Sequence, residues 1–258
     1  MLAAPPGFDV ARHFPKAEYP RITDLVYESI SCGVPIPISA ATCPDYLAGG
    51  YNLGSGIGDY ARTFLTKLPE LIKIFKRREF QVNIDLVVAD GDAVDPFLMS
   101  RRNIDVEEFL RRTRQTQAAI QTEIKRQGLG DVTVSSLLDQ CKELGIDYAP
   151  ALEIAAGEIL KKKDGKVQKV RDALIKERLQ NGEFQQLGLL PEEYEQSSAY
   201  ELAGYALYGA LVGPDAIVCT MSSTSAVAGL NMLKTDPNTV SPTIYVYEKK
   251  EKYGLFID

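Results

Sequence analysis

The stretch Gly33-Val-Pro-Ile-Pro-Ile-Ser39-Ala-Ala-Thr42-Cys43-Pro-Asp45-Tyr46 decides how the rest of the chain is read. It begins as a short apolar run and ends in small and polar residues. That is the pattern of a buried parallel strand stopping at a loop over the carboxyl edge of a sheet. In open α/β sheets ligands bind in the crevice outside the carboxyl ends of the strands. Ser39, Thr42, Cys43 and Asp45 are therefore expected where a ligand sits. Asp45 and Thr42 are also suited to capping the next helix.

Upstream of this stretch, Ile22, Leu25, Val26 and Ile30 recur at helical spacing and predict a helix over 22–31 that buries that face. Residues 1–20 are rich in proline and read as an irregular N-terminal segment. Downstream, Gly49 to Gly58 is a glycine-rich connector without the spacing of a phosphate cradle. Residues 59–76 read as a helix capped by Asp59, with a Tyr60, Phe64, Leu68, Leu71, Phe75 stripe and a break at Pro69. Residues 82–89 read as a second strand, ending in Asp90-Gly91-Asp92. Two carboxylates after a strand can hold a divalent cation. The preferred reading is a turn at Asp-Gly with Asp92 capping the next element. Helices are expected over 105–127, 132–145, 149–162, 165–180 and, among small residues, from Ser197 to Leu211. Strands at 216–220 and 243–247 flank a short helix at 225–233. Helices and strands alternate and no linker interrupts them. The expectation is one α/β domain over 21–258, with a mostly parallel sheet and helices on both faces.

Hydrophobic residues make up 45% and charged residues 25% of the 258, as in ordinary globular proteins. The four cysteines form no C-x-x-C pair and there is one histidine, so a Cys/His zinc site and a histidine-based triad are not expected. Scattered cysteines, no secretory-type N-terminus and no run of about 18 apolar residues lead to a cytoplasmic expectation.

The net charge is −6, yet helix 105–127 carries Arg111, Arg112, Arg114, Lys125 and Arg126, with Arg101 and Arg102 just upstream. Between 109 and 127 the only acidic residue is Glu123. A basic segment in an acidic chain points to a polyanion as partner.

With these residues in place, the chain resembles the cyclodipeptide synthase family. Those enzymes share a Rossmann-like fold with the catalytic domain of class I tyrosyl-tRNA synthetases and join amino acids taken from two aminoacyl-tRNAs. The similarity of order and spacing runs from about residue 30 to residue 248. The family's Gly-x-Ser-x-x-Asn falls on Pro37-Ile-Ser39-Ala-Ala-Thr42, which keeps the serine that accepts the aminoacyl group. Its Tyr-x-x-x-Glu falls on Tyr200-Glu201-Leu-Ala-Gly204, which keeps the tyrosine and lacks the glutamate; Glu201 stands nearby in sequence. Its Tyr-His pair would fall near Thr220-Met221 and is absent. The resemblance implies Ser39, Tyr200 and Glu201 as catalytic groups and Thr42, Cys43, Asp45, Asp90 and Gly204 around the substrate. It implies aminoacyl-tRNA held by the basic helix, and neither cofactor nor metal. Isonitrile synthases, with similar architecture, are echoed by Cys43-Pro-Asp45 and Asp90-Gly-Asp92. A small-molecule enzyme of that kind, or a binding module on the same fold, are the alternatives.

An unassisted serine is a weak nucleophile. An aminoacyl ester is already activated, which suits a chain almost without histidine. Cys43 is the rival nucleophile. Successive helical residues point about 100° apart, so at most one of Tyr200 and Glu201 squarely faces a pocket.

Overall fold

The computed structural model describes residues 19–42, 65–66, 68–69, 72–73, 80–99, 105–163, 165–220, 228–234, 241–245, 248–249 and 252–253. Cys43, Asp45, the glycine-rich connector, Arg101, Arg102 and Met221 lie outside them. Helix α1 (Tyr19–Cys32) leads into β1 (Ile36–Thr42). After β2 (Val82–Val88) come a 3₁₀ turn (Asp90–Val94), the short α2 (Pro96–Met99) and the long α3 (Val106–Arg126). Strand β3 (Val132–Ser136) runs directly into α4 (Leu137–Glu143). Three helices, α5 (Tyr148–Lys161), α6 (Gly165–Gln180) and α7 (Glu183–Gln186), precede α8 (Tyr194–Val212). The chain continues through β4 (Ile217–Thr220), a 3₁₀ turn (Ala228–Asn231) and β5 (Thr243–Tyr245). A two-stranded antiparallel pair comes last, β6 (Glu248–Lys249) and β7 (Lys252–Tyr253).

Strands β1 to β5 form one parallel sheet in the order β3-β2-β1-β4-β5. The α/β, Rossmann-like expectation therefore holds, with the order reversing direction between β1 and β4. That reversal opens the crevice in which such sheets bind ligands.

Alternation along the strands separates two cores. Ile36, Ile38 and Ala40 of β1, with Ile84 and Leu86 of β2, pack with Ile22, Leu25 and Val26 of α1, Leu65, Leu68 and Ile72, and Ile120 and Ile124 of α3. The opposite face takes Ala41, Val87 and Val218 against α4, α5, α6 and α8. Pro37 sits in a central strand, where proline is normally excluded. The ladder explains it. Ile36 donates its N–H to Gln81 at 2.8 Å, toward β2. The nitrogen of residue 37 thus points toward β4, whose pairing with β1 begins only at Ile38. No ladder hydrogen bond is lost.

Two expectations need correction. Residues 132–145 are not one helix. The β-branched alternation Val132-Thr-Val134 makes a strand, and Ser136 caps α4 by accepting from the Asp139 N–H at 3.2 Å. The helical stripe Leu137, Leu138, Cys141 starts only after that boundary. In α1, Ile30 is 42% exposed while Ser29 takes the buried place. Gly33, at φ +66°, closes the helix there, with Val34 bonding back to Ser29. In α3 the buried stripe is Phe109, Thr113, Thr116, Ile120 and Ile124, and Val106 is exposed. Thr113 fits the stripe because its hydroxyl donates to the Phe109 carbonyl at 3.0 Å.

Candidate active site

Ser39 is the fourth of seven residues in β1, not its last. Three further residues put it about 10 Å below the carboxyl edge. It is 7% exposed and faces the α5–α8 side of the sheet. Its Oγ lies 2.7 Å from the Tyr208 hydroxyl, a buried contact between β1 and α8. The register places Asp85 beside it on β2 and Val218 beside it on β4. Asp85 is held from the other side. The Ser135 hydroxyl donates to it at 2.8 Å, the Thr133 hydroxyl lies 3.3 Å away, and the Gln140 amide donates at 2.6 Å.

Thr42 differs from Ser39 by three positions, so alternation turns it to the opposite face. It is 1% exposed, and its hydroxyl has no hydrogen-bond partner among the described residues. The two residues expected to share a pocket are on different sides of the sheet.

Helix α8 brings a stripe of three residues, Tyr200, Gly204 and Tyr208, spaced by four. The helix runs back from the carboxyl edge toward the start of β4, so Tyr208 is deep and Tyr200 lies two turns, about 12 Å, nearer the rim. There Tyr200 meets Phe97 of α2 edge-on, with ring centroids 5.6 Å apart. Burial, then the Glu153 and Asp95 carboxylates, raise the Tyr200 pKa. The structure thus pairs Ser39 with Tyr208, not with Tyr200.

Glu201 points elsewhere. It makes a two-pronged ion pair with Arg178 of α6, which also donates to Glu183 at 2.9 Å. Burial opposes the Arg178 charge, but Glu201 and Glu183 outweigh it and raise the pKa further. Glu201 fastens α8 to α6, and Arg178 carries the tie on to Glu183 of α7. A Cβ on Gly204 would stand 3.6 Å from the Tyr148 hydroxyl of α5.

Asp90 is 6% exposed and both its oxygens are engaged. One accepts from the Ser136 hydroxyl at 2.5 Å and the other from the Leu138 N–H at 2.9 Å. Capping is seen at the two carboxylates on either side of Asp92. Asp90 ties the 3₁₀ turn to α4, and Asp95 caps α2 through Phe97 and Leu98 at 2.8 and 3.1 Å.

The basic helix is less free than its sequence suggests. Arg111 and Arg112 both bind Glu108, and Arg126 binds Glu123. Glu107 and Glu108 lie just before the window in which Glu123 is the only acidic residue. Arg114 and Lys125 are exposed. Because α3 returns the chain from the carboxyl edge of β2 to the start of β3, its ends lie at opposite edges of the sheet. Arg111, Arg112 and Arg114 belong to the site edge. Lys125 and Arg126 stand about 20 Å further along.

Sequence reasoning missed Tyr208, Asp85 and Tyr148. The first was visible as the next step of the Tyr200–Gly204 spacing. The second shares the strand parity of Ser39.

No family model matches the chain, and no curated protein matches it. Solved structures do. The PvcA protein from Pseudomonas aeruginosa is similar at 17% identity and a TM-score of 0.52, over 84% of this chain and 77% of that one. AlbC, a cyclodipeptide synthase from Streptomyces noursei, is similar at 11% identity and 0.46, over 83% and 96%. The cyclodipeptide synthase from Candidatus Glomeribacter gigasporarum, solved bound to Phe-tRNAPhe, is similar at 15% identity and 0.48, over 82% and 86%. At these identities the likeness is one of architecture, and the chain shares with PvcA a Rossmann-like parallel sheet.

Proposed function

We propose that the protein is an aminoacyl transferase that takes its acyl group from aminoacyl-tRNA and holds it as an ester on Ser39. The observation that carries this reading is the buried 2.7 Å contact between Ser39 and Tyr208, on the face of β1 beside the strand-order reversal. Ser39 Oγ attacks the carbonyl carbon of the aminoacyl ester, and the bond from that carbon to the ribose oxygen breaks. The Oγ proton leaves along the contact with the Tyr208 hydroxyl, and the ribose oxygen is released as a hydroxyl. The amino group of a second aminoacyl unit then displaces Ser39, forming a peptide bond. Tyr200, nearer the rim, meets the substrate on its way in. The resemblance around Pro37–Thr42 and Tyr200–Gly204 supports this assignment. Glu201, committed to Arg178, has no part in the chemistry.

The test is intact-mass spectrometry of the protein after incubation with charged tRNA. A mass increase of one aminoacyl group, mapped to the β1 peptide and lost in Ser39→Ala, is the expected result. Tyr208→Phe should slow its formation by about a hundredfold or more. An adduct that survives Ser39→Ala, or no adduct with any amino acid, defeats the proposal. Diketopiperazines in the medium of an expressing bacterial host would identify the product.

A further inference from the structure

We infer that Tyr148 is the specificity-determining residue of the Ser39 site: its phenol, wedged between Gly91 and Gly204, sets how large an acyl side chain the site accepts. The inference rests on the acyl-transfer reading above and deepens it.

A cleft of about 430 Å³ opens between the Asp90–Val94 turn, α4 and the start of α5, lined by Val94, Leu138, Lys142, Ile146, Asp147 and Tyr148. Tyr148 is the first residue of α5 and is 6% exposed. Its ring tip passes inward from this cleft. Cε1, Cζ and the hydroxyl oxygen all lie 2.7 Å from where a Cβ on Gly91 would be. The same oxygen is 3.6 Å from a Cβ on Gly204. Side-chain atoms at 91 are incompatible with the phenol in this place, and a long side chain at 204 would contest the space it fills. Gly204 is one step along α8 from Tyr208, which holds Ser39. The phenol therefore stands between an open cleft and the stripe whose Tyr208 contacts the acyl acceptor Ser39.

Among the described residues no hydrogen bond engages the Tyr148 hydroxyl, which leaves it available to a ligand. Burial, with Asp92, Cys141, Asp95 and Asp90 behind it, holds its pKa far above the usual phenol range, so it meets that ligand as a protonated donor. A wall with these properties is a length stop. Removing it joins the cleft to the site, and adding bulk at Gly204 shortens the site from the other side.

The experiment charges total tRNA with a mixture of amino acids and reads the distribution of Ser39 adducts by peptide mass spectrometry. In Tyr148→Ala the ratio of bulky adducts (Phe, Tyr, Leu, Met) to small ones should rise at least tenfold. Tyr148→Phe, which keeps the volume, should hold the ratio while loading more slowly. Gly204→Val should move the ratio toward small residues. Tyr148→Leu stands in if the alanine variant does not fold. An unchanged ratio in folded Tyr148→Ala or Tyr148→Leu overturns this inference alone, even if total loading falls. No adduct on the unmodified protein overturns the acyl-transfer reading and this inference with it.

Discussion

Asp90 shows how a carboxylate at a strand end can be consumed by the fold. Burial raises its pKa against the pull of Ser136 and Leu138. The folded chain therefore holds that proton more firmly than the unfolded one. Its contribution is complete below the ordinary aspartate value of 3.8 and is lost as pH rises through the raised folded value. Asp90→Asn keeps an acceptor for Leu138 and removes the buried charge. It should flatten the dependence of stability on pH just above 4. Asp90→Ala strands the Leu138 N–H and the Ser136 hydroxyl, and should cost about 1–3 kcal/mol. Urea unfolding of both variants at pH 4.5 and 7 checks the pair. The sequence announced a functional carboxylate or a turn at Asp90. It could not announce the partners, because Ser136 and Leu138 are 46 and 48 residues away. The same holds for Ser39. Its place in a strand was legible from the apolar run, whereas Tyr208 is 169 residues distant.

Among elements, α8 is held by backbone rather than by bulk. Its small residues permit close approach, and the glycines on both sides of the contact with the Ala228–Asn231 turn show where. A Cβ on Gly209 would collide with the Leu230 carbonyl oxygen, and one on Gly229 would lie 2.9 Å from the Leu202 oxygen. The Ser241 hydroxyl bonds the last carbonyls of the helix, reaching Gly209 at 3.0 Å and Gly213 at 2.7 Å, and Lys234 reaches Gly209 at 2.9 Å. Two glycines five residues apart should therefore respond with opposite sign to the same change. Gly209→Ala forces backbone apart and should lower stability by about 2 kcal/mol or more. Gly204→Ala meets nothing closer than 3.6 Å and should gain about 0.5–1 kcal/mol from helix propensity. Thermal melts of the two variants decide it. Boundaries between elements were the weaker part of the sequence reading. Val132–Ser136 is short, and its chain runs without a break into the apolar residues of the adjoining helix. Only pairing with β2 separates the two.

Over the whole molecule, the charge pattern carries a second lesson. A window of sequence registered α3 as strongly basic, but three of its arginines are paired from within the helix and its two basic groups face different edges of the sheet. If RNA docks at the site edge, Arg114 should matter and the distal group should not. Arg114→Gln is expected to weaken tRNA binding and to reduce the slope of log affinity against log salt by roughly 0.7–0.9. Lys125→Gln with Arg126→Gln should leave both unchanged. Filter binding over a salt series measures the two quantities together. The architecture itself was legible because alternating strand and helix patterns suffice for it. The partition of charge was not, since it depends on which way α3 runs relative to the strands.

The two-residue repeat of β1 has an evolutionary implication. One amino acid inserted between Pro37 and Ile38 would rotate every later side chain of the strand to the far side, carrying the Ser39 hydroxyl away from Tyr208 and putting the Ile38 side chain in its place. In lineages descending from this protein the number of residues between Ile36 and Ser39 is therefore fixed.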